Sequence, residues 1–150
     1  MLEARAHLFF DTVSISNFAL ACRLDLIAAR YAGRAHLTTE VLDEIAEGVA
    51  HGYSALLQVE PLIQAGALQA TVLSAAERAL YGRLLPGLGP GEASAVACAR
   101  LRAGIAVTDD RAARACCAEH EVAFTGTIGI LEAMVRHGFY SPVRRISDLL

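Results

Sequence analysis

Asp109 and Asp110, in the stretch VTDDRAAR (107–114), set two like charges at the end of a short apolar run and just ahead of a helical pattern. Side by side they repel, and neither builds a core. They either cap the helix that follows or hold a cation. Three more acids stand in comparable places: Asp11 closes HLFFD, Glu44 lies on TEVLDEIAEGVA, and Glu92 follows the glycine-rich LPGLGPG. Carboxylates gathered in one pocket need positive charge between them, and an oxygen-only set suits Mg²⁺ or Mn²⁺. Two such ions about 4 Å apart are a recurring device for hydrolysing phosphodiesters. Each acid also has a plainer reading. An Asp at a strand end caps a turn, a Glu in a first helical turn meets the helix dipole, and acids at 40–47 make a solvated helix face. Asp43 and Glu44 lie equally far from the centre of the apolar stripe, so periodicity leaves the choice between them open.

These residues act together only if the elements bring them together. HLFFD (7–11) reads as a strand, and apolar positions at helical spacing predict a helix over 14–31. RAHLTT (34–39) is a second strand, with Thr38 or Thr39 capping the amphipathic helix that follows. A short helix begins near Pro61 within 58–65, LQATVL (68–73) is a short strand, and Ser74 with Glu77 has capping-box spacing. A helix opens at Pro90 and ends at Gly104. IAVT (105–108) is a strand, DRAARACCAEH a helix, VAFT (122–125) a strand, TIGILEAMVRHG a helix closed by Gly138, and SPVRRISDLL a C-terminal helix. Alternating strands and helices predict one α/β domain over 1–150. It has three layers, with a mostly parallel sheet of four or five strands and helices on both faces. Ligands of such sheets bind beyond the carboxyl ends of the strands, where right-handed crossovers can gather the acids.

Composition narrows the class. With 55% hydrophobic and 19% charged residues the chain is not of the disordered type. No apolar run approaches the roughly 20 residues of a membrane helix. The first, His7 to Phe10, is cut short by Asp11, so no secretory signal is expected. Cys22, Cys98, Cys116 and Cys117 lack metal-ligand spacing and are expected to be reduced packing residues of a cytosolic, hence cytoplasmic, protein. His7 and His36, in strands, are expected to be buried. The net charge is -3, and all 13 basic residues are arginine. That is not the footprint of a chain that grips nucleic acid unaided, though metal ions and a local arginine patch could do so. A phosphoacceptor domain also clusters acids at strand ends, but its site needs a lysine, and the chain has none.

In order, the segments FFDTVSISNFA, LTTEVLDEIAEG, LGPGEASAVACA, VTDDRAAR and TGTIGILEAMVRHGF resemble the PIN domain, the metal-dependent ribonuclease fold of VapC-type toxins. The resemblance spans about residues 7 to 140 and includes a subgroup in which a glycine-rich turn precedes Glu in place of Asp. It implies an endoribonuclease in which Asp11, Glu92 and Asp110 hold Mg²⁺ or Mn²⁺, two ions when substrate is bound. Asp109 supplements them or helps cap the next helix, and Glu44 binds the second ion or orients water. It implies RNA contacts from Arg111 and Arg114, hydrogen-bonding help from Ser14, Ser16 or Thr108, a cognate antitoxin and a homodimer. An Asn common two residues after the first Asp is Val13 here. The mean hydropathy of +0.42 agrees with a partner surface, and the alternative is a catalytically weak or inactive PIN-like protein-interaction module.

Overall fold

The computed structural model describes residues 5–138. Five short strands form one fully parallel sheet: β1 (Leu8–Phe10), β2 (Ala35–Thr38), β3 (Gln69–Thr71), β4 (Ile105–Val107) and β5 (Ala123–Thr125), in the order β3-β2-β1-β4-β5. The eight α-helices among the described residues are α1 (Thr12–Leu20), α2 (Leu24–Tyr31), α3 (Thr39–Ala50), α4 (Val59–Gln64), α5 (Ala75–Leu84), α6 (Pro90–Leu101), α7 (Arg111–Glu119) and α8 (Thr127–Arg136). A 3-10 helix, Ser54–Gln58, precedes α4. The predicted C-terminal helix, with Arg144 and Arg145, lies outside the described residues.

Alternation along the strands splits the core in two. Leu8, Phe10, Ala35, Leu37 and Val107 face one layer, where they pack with α1, α2, α3 and α8. Phe9 and Ala106 face the other, against the alanine-rich α6 together with α5 and α7. This is the expected three-layer α/β architecture, and its sheet has five strands. The order reverses between β1 and β4, so a crevice opens beyond their carboxyl ends.

Two expectations about helices change. The helix predicted over 14–31 is two helices bent by 116°. Cys22 turns left-handed (φ 56), and its N–H and that of Arg23 close back on the carbonyls of Ala19 and Phe18. That is a Schellman ending built without glycine, so composition gave no sign of it. Cys22 is therefore exposed and not a packing residue, whereas Cys98 and Cys117 are buried and Cys116 half-buried, all free. At the end of α6 the left-handed residue is Ala103 (φ 52) rather than Gly104. Gly104 is needed for space, since a methyl there would stand 2.7 Å from the His7 carbonyl and the Phe9 ring.

His7 is exposed and His36 half-buried, against expectation. They bond each other at 2.7 Å, and His36 also reaches Thr71 Oγ1 at 2.7 Å. Burial first, then His7 and Arg102, push the His36 imidazole down to about 4.

Candidate active site

The crevice gathers three helix N-termini, those of α1, α6 and α7. Each is capped by one of the predicted acids. Asp11 Oδ1 accepts from Ser14 N (2.8 Å), Glu92 Oε1 from Gly89 N (3.1 Å), and Asp110 Oδ2 from Ala113 N (2.9 Å). The plainer readings, a cap for Asp11 and Asp110 and a first-turn position at the helix dipole for Glu92, therefore hold, and they do not compete with a cation. A cap uses one carboxylate oxygen and leaves the other available. For Asp11 that second oxygen, Oδ2, is buried with no partner in a residue only 1% exposed. An ionised group in that position carries a heavy desolvation cost unless positive charge meets it.

Glu92 lies against both of the others. Burial raises its carboxyl above the ordinary range and the Gly89 N–H works against this. Repulsion from Asp110 and Asp11, and a hydrogen bond shared with Asp110, raise it further. Asp11, Glu92 and Asp110 thus form one electrostatic group drawn from segments far apart in the chain. The positive ends of three helices point at it, which favours negative charge there.

Glu44 comes in from α3 and settles the choice that periodicity left open. It is half-buried in the site, while Asp43 is exposed. A hydroxyl relay draws α3 to α6. Thr38 Oγ1 caps α3 by accepting from Val41 N (3.1 Å) and donates to Ser94 Oγ (2.7 Å), which donates to the Gly91 carbonyl (2.9 Å). The Thr12 hydroxyl then donates to Glu44 Oε1. A methyl at Gly91 would overlap Glu44 Oε1 and stand 2.6 Å from Thr12 Oγ1, so glycine is what lets these two side chains keep their present positions. The result is a cavity of about 350 Å³ lined by Asp11, Thr12, Val13, Glu44, Gly91 and Glu92, with Glu47 and Gly89 at its edge. Val13 stands at its lip, 61% exposed.

The remaining predicted residues stand elsewhere. Asp109 is turned away to α8, where Oδ1 accepts from Thr127 N (2.9 Å) and Oδ2 from Thr127 Oγ1 (2.6 Å). It does close a helix N-terminus, but that of α8 and not that of α7. Arg114 is folded back, donating from Nε to the Thr108 carbonyl (2.9 Å), lying 3.7 Å from Asp109 and resting over Phe124. Arg111 is exposed at the start of α7. Thr108 is buried and takes the Asp110 N–H (3.2 Å), and Ser14 Oγ is buried without a partner. Thr12, Gly91, Asn17 and Thr127 were not singled out in the sequence. Thr12 had a signal in its place next to Asp11, and Gly91 in its place before Glu92.

The chain matches the family model for the PIN domain over residues 8–150. It belongs to the PIN-domain family. No curated protein matches it. PIN domains are usually nucleases and typically work with divalent metal ions. The donors of this PIN domain fit such an ion, being oxygen-only, carboxylate-rich and including the stranded Oδ2 of Asp11. Among the described residues no group of three or more His, Cys, Asp or Glu side chains is gathered closely enough to hold a metal ion as it stands, and Asp110 lies outside the lining of the acidic pocket.

Proposed function

We propose that this PIN domain is a metal-dependent endoribonuclease, the toxin component of a toxin–antitoxin pair acting in the cytoplasm, with a cognate antitoxin and a homodimeric state. The observation that carries the catalytic reading is the buried, unpartnered oxygen of Asp11 beside the mutually repelling Glu92 and Asp110. Mg²⁺ or Mn²⁺ held there, as two ions when RNA is bound, would lower the pKa of a water and steady the leaving oxygen.

The chain's own residues supply the frame for this chemistry. Asp11, Glu92 and Asp110 are each fixed through one oxygen by a helix N-terminus, which leaves the second oxygen of each outside the cap to turn toward a cation. Glu44, pinned by Thr12 beside Gly91, binds the second ion or orients the attacking water. That water's oxygen bonds to phosphorus, one P–O ester bond breaks, the water's proton leaves to solvent, and the departing oxygen takes one up. No side-chain nucleophile is required. Arg111, exposed next to Asp110, would meet RNA phosphate, and Arg114, whose Nε is held by the Thr108 carbonyl, would do so only by leaving that contact.

The test is Mn²⁺-dependent cleavage of a fluorogenic single-stranded RNA by the native protein, by Asp110→Asn and with EDTA added. Cleavage that needs both the metal and Asp110 supports the reading. A folded native protein that neither cuts RNA nor binds Mn²⁺ in calorimetry replaces it with the interaction-module reading.

A further inference from the structure

A second cavity, of about 210 Å³, adjoins the Asp109 brace and opens between α1, the start of α2 and α8. Helix α1 joins it to the acidic pocket. Thr12 and Val13 line that pocket, and Asn17 and Phe18 line this cavity. Five residues of helix separate the two by roughly 8 Å. The distance suits a neighbouring nucleotide of the same strand.

Its walls are of two kinds. Phe18, Leu26 and Leu131 make an apolar bed. Asn17 and Thr127 supply polar groups at its edge. Thr127 Oγ1 donates to Asp109 Oδ2 (2.6 Å) and accepts from Asn17 Nδ2 (3.1 Å), which also lies 3.5 Å from Asp109 Oδ2. Both side chains are therefore fixed in direction. Asn17 is exposed and lines the cavity, and with Nδ2 engaged by Thr127 and Asp109 its Oδ1 accepts no hydrogen bond among the described residues. An apolar bed excludes phosphate, and Asp109, which holds Thr127 and Asn17 without itself lining the cavity, adds negative charge behind them. Arg23, at the rim, is paired with Asp25 at 3.0 Å. A flat, neutral group with hydrogen-bonding edges fits these walls. Sequence-selective RNA recognition works on unstacked bases seated in this manner.

We propose that this cavity is a nucleobase pocket that takes one unpaired base of single-stranded RNA beside the bond cut at the acidic centre, with Asn17 reading the base's edge. The inference rests on the nuclease reading for its place next to the scissile bond. Asp109 is then a positioning residue, holding Thr127 and Asn17 in the reading orientation.

The experiment maps cleavage sites on a randomised single-stranded RNA pool with Mn²⁺, for the native protein, Asn17→Ala and Leu131→Trp, each checked for native circular dichroism. The native protein is expected to prefer one base at a fixed position from the cut by about tenfold or more. Both variants lose that preference while binding Mn²⁺ with native affinity in calorimetry. A preference unchanged in both folded variants, or no preference in the native protein, overturns the pocket. If the native protein cuts nothing, the nuclease reading fails separately. The pocket is then judged by saturation-transfer NMR with the four ribonucleoside 5′-monophosphates in EDTA. Base-proton contacts that Leu131→Trp abolishes uphold it, and none in the native protein overturns it.

Discussion

At the scale of single residues, the site is built from side chains that cap and wait at once. Asp110→Asn separates the two roles. Asparagine caps as well as aspartate, so α7 keeps its start, while the repulsion on Glu92 is relieved. Without metal the variant is expected to melt at or above the native temperature, and Mn²⁺ no longer raises its melting point. Its RNA cleavage falls about 100-fold or more, which corresponds to ~2.7 kcal/mol of lost transition-state stabilisation. Gly91→Ala tests position without touching a charge. The added methyl displaces Glu44 and Thr12, and a shift of that kind costs up to about 100-fold in rate. Steady-state kinetics should show it in kcat, with Mn²⁺ affinity and folding largely kept; a native kcat would mean that Glu44 need not sit there.

At the scale of elements, the site depends on how α5 and α6 are held on the sheet. Glu77 completes the α5 capping box and, at 2% exposure, accepts from both Nε (2.6 Å) and Nη2 (2.8 Å) of Arg102 at the end of α6. The Arg102 pairing, opposed by burial, keeps the Glu77 carboxyl below its ordinary range. Arg102→Ala leaves a buried carboxylate without its partner and should cost about 3 kcal/mol, read from urea unfolding at pH 7. Arg102→Ala and Glu77→Gln together should recover part of that loss. The second element-level effect is acid sensitivity where β1, β2 and β3 meet. His36 stays neutral in the fold down to about 4, whereas in the unfolded chain it takes a proton near 6.5. As pH falls from 6.5 to 4 the unfolded state binds that proton first, so stability drops across this window and is fully present above it. Thermal melts across the window should fall less steeply for His36→Gln than for the native protein. Equal slopes would show that His36 carries no part of the acid loss.

At the scale of the whole molecule, a chain of net charge -3 with an acidic crevice repels RNA until cations enter. Affinity for a non-cleavable single-stranded RNA should therefore rise at least about tenfold, ~1.4 kcal/mol, when Mn²⁺ is added to EDTA-treated protein. Fluorescence anisotropy at fixed ionic strength measures this, and an affinity indifferent to Mn²⁺ would place the RNA away from the acids. The strand order makes the crevice itself. β1 and β4 are neighbours although nearly a hundred residues separate them, and the acids after both strands meet where the order reverses.

Much of this was legible in the sequence because it is local. Thr38, Ser74 and Glu77 cap as their spacing required, Pro90 opens α6, and the alternation of apolar runs specified a parallel sheet between helices. The acids Asp11, Glu92 and Asp110 could be named from their places at strand ends and helix starts. What stayed hidden depends on contacts between distant segments. Cys22 ends α1 in a left-handed turn that carries no glycine to announce it. Glu44 rather than Asp43 enters the site because α3 is tied to α6 through Thr38 and Ser94. Asp109 and Asp110 are adjacent and look equivalent in sequence, yet one is drawn to Thr127 and the other to Glu92. Helical and strand periodicity are set by neighbours a few residues apart, so the sequence alone determines them. Which of two equivalent carboxylates faces a pocket is set by packing across the sheet, and only the tertiary structure decides it.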